Sequence, residues 1–316
     1  MKKALITGSQ GFVGHYLRRE LENNGYGVTG LDLQAGEGVI SADLLNGEQV
    51  REVMAQVNPD AVFHLAGQAS VAKSWSIPQK TVEINVIAAI NLTEAVRSLN
   101  LACRMVMVGS SDQYGNLGSA GSKVTEDLAT NPQTPYAVSK MAQEEMARVY
   151  VQAYGMNICM TRSFNHGGAG QRKGFLIPDF ASGIVAVERG EAHCLRVGNL
   201  TARRDFTHVR DIVRAYRLIA EKGRSGEVYN VGSGITYSAQ EILDKLCTLA
   251  NCPIPVEHDP AKMRPSDTPV ICCDHSKLTE HTGWKPQIPM YEILDEVLEY
   301  WRHRGQFEVT CNVLGK

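Results

Sequence analysis

A chain of 316 residues, 43% of them hydrophobic, can bury a full core and is expected to form two lobes around a cleft. The 32 basic side chains against 34 acidic ones leave a net charge of −2, so there is no basic excess for nucleic acid, which is excluded as the main partner. No apolar run approaches the ~18 residues of a membrane span, and a β-strand pattern begins at once, so no membrane partner and a cytoplasmic location are expected. The 8 cysteines are scattered without a Cys-x-x-Cys pair, which suits a reducing compartment; vicinal Cys272 and Cys273 are expected to pack in a core strand. His64, His166, His193 and His208 lack zinc spacing, so no metal is expected.

The first predicted element is a short apolar strand from Lys3 that runs into Gly8-x-x-Gly11-x-x-Gly14. Phe12, Val13, Tyr16, Leu17 and Leu21 then recur at helical spacing. In such a turn Gly8 permits the tight reversal, Gly11 lets a pyrophosphate approach the backbone, and Gly14 lets the helix pack on the sheet. The helix N-terminus would face the phosphates. The second strand, Gly27 to Asp32, ends in an acid 18 residues after Gly14. A carboxylate there accepts ribose hydroxyls and repels a 2′-phosphate, and no arginine occurs in Leu33–Gly36, so NAD(H) is favoured, with NADP(H) as the alternative.

Further on, Ala61–Leu65 reads as a buried strand, Lys80–Leu99 as one long helix, and Arg104–Gly109 as another strand. Thr134 to about Tyr154 reads as an amphipathic helix and Met156–Arg162 as a strand. This alternation implies right-handed crossovers and an α/β fold, a Rossmann-type doubly wound parallel sheet. Ligands then gather where the strands end, bringing Gly8, Asp32, Ala66-Gly67 and Ser110 to one rim. The expected cofactor contacts are Gly8, Gln10, Gly11, Phe12, Val13, Gly14, Asp32, Asp43, Leu44, Leu65, Ala66, Gly67, Val108, Tyr136 and Lys140.

Tyr136 and Lys140, four apart, share a helix face, so an ammonium beside the phenol is expected to lower its pKa from about 10. Tyr136 is thus a candidate proton donor for a hydroxyl/ketone pair. Past Phe164 the pattern loosens into glycine-rich loops, with helices near Phe175–Arg189, Ser238–Ala250 and Met290–Arg304. Gly226–Gly232 reads as a strand returning to the first lobe. The expected division is a dinucleotide-binding domain over 1–165 with a returning segment near 208–232. A smaller, discontinuous α/β substrate lobe would span 166–207 and 233–306, and 307–316 carries no assignable pattern.

The Thr7–Gly14 turn, His64-Leu-Ala-Gly67, Ser110, Tyr136-x-x-x-Lys140 and Arg264-Pro265 together resemble the extended short-chain dehydrogenase/reductase family. Phe164-Asn-His166, Val197-Gly-Asn-Leu200, Arg204-Asp-Phe-Thr207 and Met263-Arg-Pro265 are most similar to its GDP-mannose branch. The resemblance implies a GDP-linked sugar substrate and a homodimer paired through the helices at 80–99 and 134–154. The activity it implies first is NAD(P)H-dependent reduction of the C4 ketone of GDP-4-keto-6-deoxy-D-mannose to GDP-D-rhamnose. A 4,6-dehydratase or a 4-epimerase is the alternative, and a non-catalytic NAD-binding sensor a further one.

By the same resemblance Ser110 would bond the sugar C4 oxygen, Tyr136 would protonate it, and Lys140 would hold the nicotinamide ribose. Asn165, Arg204 and Arg264 would reach the phosphates and Asn199 the nucleoside. A dehydratase of this kind carries glutamate where Asp112 stands. Aspartate is one methylene shorter, a displacement that can lower a rate about 100-fold. Gln113, next to it, cannot serve as a base.

Overall fold

The structure, a computed structural model, describes residues 1–116, 123–262 and 270–313, the last helix beyond Arg304 through its backbone alone. In chain order the strands are β1 (Lys2–Thr7), β2 (Tyr26–Asp32), β3 (Val39–Ser41), β4 (Ala61–His64), β5 (Arg104–Ser110) and β6 (Ile158–Ser163). Then follow β7 (Asn165–Gly167), β8 (Leu195–Val197), β9 (Arg203–His208), β10 (Val228–Val231), β11 (Thr236–Ser238), β12 (Val256–His258) and β13 (Val270–Ile271). The helices are α1 (Phe12–Asn23), α2 (Gly47–Val57), α3 (Val71–Ser76), α4 (Pro78–Val82), α5 (Ala88–Ser98) and α6 (Pro135–Tyr154). They continue as α7 (Leu176–Glu188), α8 (Val209–Lys222), α9 (Ala239–Thr248), α10 (Ser276–Thr282) and α11 (Met290–Val313).

A seven-stranded sheet of order β10-β6-β5-β4-β1-β2-β3, parallel throughout, carries helices on both faces. One face buries Val50 and Met54 of α2, Leu92 and Val96 of α5 and Ala147 of α6. The other buries Leu17 and Leu21 of α1, Ile212 and Tyr216 of α8, Leu278 of α10 and Trp284. This is the doubly wound arrangement that the strand–helix rhythm foretells. The register places Thr7 beside Leu31 and His64, His64 beside Met107, and Ser110 beside Ser163, so the strand ends form one rim.

Beyond this sheet, β9 pairs with β11 antiparallel and with β7 and β13 in parallel, while β8 pairs with β12. Here α7, α9 and α11 bury Ile184, Leu243, Leu294 and Leu298 around a separate core. Helix α11 extends to Val313, so backbone helix covers most of the segment beyond 307 that carries no sequence pattern.

Local chemistry sets the element that matters most. Thr134 caps α6 through its side chain on Ala137 N (3.1 Å), Pro135 occupies the first turn, and Gly155 ends the helix in the left-handed region. The predicted helix over 80–99 is instead interrupted: a π-helical turn, Glu83–Ile87, separates α4 from α5. Among cysteines with described side chains every thiol is free; Cys273 is fully buried, but Cys272 is only partly buried, and both follow β13 instead of lying in a core strand. No helix among the described residues is long and apolar enough to cross a membrane.

Candidate active site

The glycine turn is built as its spacing requires. Gly8 has φ +69°, and a Cβ there would stand 2.8 Å from Ala66 N; a Cβ on Gly14 would stand 2.5 Å from Ser9 O. Helix α1 opens on Gly11 without a side-chain cap and without an acid in its first turn, leaving the N–H groups of Phe12 and Val13 without intrahelical partners. Asp32, at the end of β2, accepts Gln10 N (3.0 Å) and Leu33 N (2.8 Å), which locks the second strand to the turn. Gln10 also donates from its amide to Gln34 O (2.6 Å). Asp43 accepts Leu45 N (2.9 Å), so the loop after β3 exposes Asp43 and buries Leu44.

At the end of β4, Leu65 N and Ala66 N donate to Thr7 O and Thr7 Oγ1. Thr7 Oγ1 lies 2.8 Å from His64 Nδ1. His64 is buried, and desolvation first and the Lys140 charge second push its pKa down to about 3, so it is a neutral core residue. Its neighbour Gly67 leaves space beside Asn85 and Lys140: a Cβ there would lie 3.0 Å from Asn85 Oδ1 and 3.6 Å from Lys140 Nζ.

Ser110 closes β5 and caps the 3-10 turn Ser111–Tyr114, accepting Asp112 N at 3.2 Å. Tyr136 on α6 is 9% exposed and Ser110 8%, and the two side chains share a hydrogen bond. Burial chiefly, and then the Asp112 carboxylate, raise the Tyr136 pKa, against a hydrogen bond with Ser110 that lowers it. Ser110, Asp112 and Tyr136 therefore share one environment. Gln113 does not join them; it is fully buried, and a Cβ on Gly109 would meet its Nε2 at 2.9 Å.

Lys140 departs from expectation. Its ammonium donates to Val108 O (2.8 Å) and Gln143 Oε1 (3.0 Å), and it is not among the charges that shift Tyr136. The expected lowering of the phenol pKa is thus replaced by a rise. A shared helix face brings the two residues near, but a buried ammonium takes the acceptors that solvate it best. Desolvation in turn lowers Lys140 to about 8.

Asn165 is exposed on β7, beside Phe206 of β9. Asn199 accepts Thr201 N (2.9 Å) and Thr201 Oγ1 (2.8 Å), shaping the loop between β8 and β9. Arg204, partly buried on β9, donates to Arg203 O (2.9 Å). Arg264 lies outside the described residues.

Three features escape sequence reasoning. Asn85, on the π-helical turn, is fully buried; it accepts Gln68 N (2.7 Å) and donates to Ser139 Oγ (2.8 Å), joining the Gly67 loop to α6. Its only trace in the sequence is an asparagine within an apolar helical pattern that also holds Asn91, although π-turns gather at functional sites. Gln143 is the second. The third is a cavity of about 450 Å³ bordered by Asp179, Ser182, Leu195, Arg196 and Lys262. Its walls come from the stretch 173–196, between Asn165 and Arg204, and from Lys262 further along the chain. No group of three or more potential metal ligands occurs among the described residues.

Known proteins are similar to this chain in sequence and in fold. GDP-6-deoxy-D-mannose reductase of Pseudomonas aeruginosa is 32% identical over 308 residues, covering 97% of this chain and 99% of that protein. A solved structure of RMD from Pseudomonas aeruginosa complexed with NADPH has a TM-score of 0.88 at 31% identity, over 96% of this chain and 100% of that one. The NAD complex of UDP-glucose 4-epimerase from Thermus thermophilus has a TM-score of 0.85 at 27% identity, over 95% and 99%. Residues 5–297 match the family described as GDP-mannose 4,6 dehydratase. The chain therefore belongs to that family of enzymes, within the extended short-chain dehydrogenase/reductases.

Proposed function

We propose that the chain reduces the C4 ketone of GDP-4-keto-6-deoxy-D-mannose to GDP-D-rhamnose, with NADH preferred to NADPH as reductant. The observation that carries this reading is the buried Tyr136 phenol, which keeps its proton at neutral pH beside Ser110. A ketone being reduced needs a proton donor at that place, and the reductase likeness spans the chain.

The cradle fits a dinucleotide: an uncapped helix N-terminus, two glycines whose Cβ atoms would strike backbone, and a carboxylate at the end of β2. The α1 N–H groups would hold the pyrophosphate. Asp32 would accept the adenosine ribose hydroxyls and disfavour a 2′-phosphate, while Asp43-Leu44 and Leu65–Gly67 would line the adenine and ribose sides. Once bound, the nicotinamide supplies the hydride. Tyr136 Oη gives its proton to the sugar C4 oxygen, and Ser110 Oγ donates a hydrogen bond to it. Lys140 would hold the nicotinamide ribose, beside the Val108 and Gln143 acceptors that bind its ammonium. Asn165 and Arg204, with Arg264, would take the phosphates, and the cavity between α7 and β8 would seat the nucleoside, beside Asn199. The sheet-centred half thus binds the dinucleotide and the other half the nucleotide-sugar.

A 4,6-dehydratase is the second reading, favoured by the closeness of Asp112 to Tyr136. Enzyme incubated with the 4-keto-6-deoxy sugar should consume reduced nicotinamide, with higher kcat/KM for NADH than for NADPH. Formation of a 4-keto product from GDP-mannose alone would assign the dehydratase instead.

Free thiols suit a cytoplasmic protein. Val82, Ile87, Val138, Val149 and Tyr154, all exposed, read as the homodimer face, to be checked by the particle mass in solution.

A further inference from the structure

We propose that Gln143 is a positioning residue for Lys140: its amide oxygen and the Val108 carbonyl hold two of the three ammonium protons and leave the third for a ligand beside Gly67. The proposal rests on the reading of Lys140 as part of the cofactor site. Lys140 is 6% exposed and Gln143 2%, and Nζ lies 3.0 Å from Gln143 Oε1 and 2.8 Å from Val108 O. Both acceptors are fixed, one by the sheet and one by the next turn of α6. Gln143 Nε2 is buried with no hydrogen-bond partner. An unpaired buried donor is destabilising, and an apolar side chain would avoid it. What the amide contributes at this position is therefore its oxygen, and that oxygen has the lysine as its partner.

Among the described residues no other charged group does this. From β4, His64 is neutral. On α6, Glu144 is bound to Arg162 of β6. Asp112, from the 3-10 turn, acts on Tyr136. The other helices packed on α6 carry Lys73, Lys80, Glu83 and Arg97 at exposed positions, and Glu94 pairs with Arg97. Arg104 opens β5 at the opposite end of the sheet and donates to Gly223 O. Burial disfavours the ammonium and brings its pKa to about 8. Removal or strengthening of the Gln143 acceptor should therefore move that titration in opposite directions.

The test is an NMR titration of the whole ligand-free enzyme labelled at lysine Cε, with Lys140 assigned by its absence from Lys140→Met. Gln143→Leu should lower the Lys140 midpoint by about one pH unit, and Gln143→Glu should raise it by at least about one. Loss of folding cannot imitate shifts of opposite sign. The NADH dissociation constant near pH 8 should rise about fivefold in Gln143→Leu and stay closer to wild type at lower pH, where the ammonium persists. Midpoints that stay within a few tenths of a unit in both variants would overturn the proposal. Lys140→Met separates the two failures: if it binds NADH and turns over normally, the reading of the site itself is wrong.

Discussion

Replacement of Tyr136 by phenylalanine is expected to lower kcat for ketone reduction by about 10²–10⁴-fold, the usual contribution of a positioned general acid. The substitution removes one oxygen from a ring that is 9% exposed and leaves the ring's packing intact. Nucleotide-sugar and cofactor dissociation constants should change little, because the phenol acts on the oxygen whose charge develops during reaction. Burial and the Asp112 charge raise the Tyr136 pKa, so the proton is present throughout the neutral range and the donor is not limiting there. Steady-state kinetics with the 4-keto sugar check this. A kcat within threefold of wild type would remove Tyr136 from the mechanism.

The second large effect concerns the support of that helix. Glu144, one turn beyond Lys140, receives Arg162 through both oxygens, Nε at 3.0 Å and NH2 at 2.7 Å. The two side chains are 3% and 6% exposed, and the Arg162 guanidinium also lies over the Tyr114 ring at 4.8 Å. Glu144→Ala leaves that guanidinium buried without its carboxylate, while the more exposed Arg148 keeps Glu145 at 3.5 Å, and should destabilise the fold by about 3–5 kcal/mol. Replacing both partners with apolar residues, Glu144→Leu with Arg162→Met, should recover most of the loss, since the desolvated charge disappears with its partner. Denaturant unfolding measures both. A loss below about 1 kcal/mol in Glu144→Ala would mean that the pair does not anchor α6.

The parts of this site legible in the sequence are those fixed by local rules. Gly8 and Gly14 are dictated by backbone clashes at their own positions, and α6 by Thr134, Pro135 and Gly155 at its ends. The parallel sheet follows from strands and helices that alternate. The partner of Lys140 was not legible, because a buried ammonium chooses among acceptors that only packing brings within reach. Nor was the π-turn at Glu83–Ile87, since one extra residue in a helical turn leaves the apolar period of 80–99 almost unchanged. Asn85, bridging to Ser139 across 54 residues, is invisible for the same reason. The cavity beside Asp179 and Arg196 joins two segments whose proximity depends on how α7 packs on β8.

One labelling experiment bears most directly on the chemistry assigned to this fold. The purified enzyme is given the GDP-linked 4-keto-6-deoxy sugar with NADH deuterated at the transferable nicotinamide position, and the sugar product is read by NMR. Deuterium at C4 of the product, with one equivalent of NADH oxidised, is the expected result. Unlabelled product, or NADH left unconsumed while the ketone persists, would contradict it.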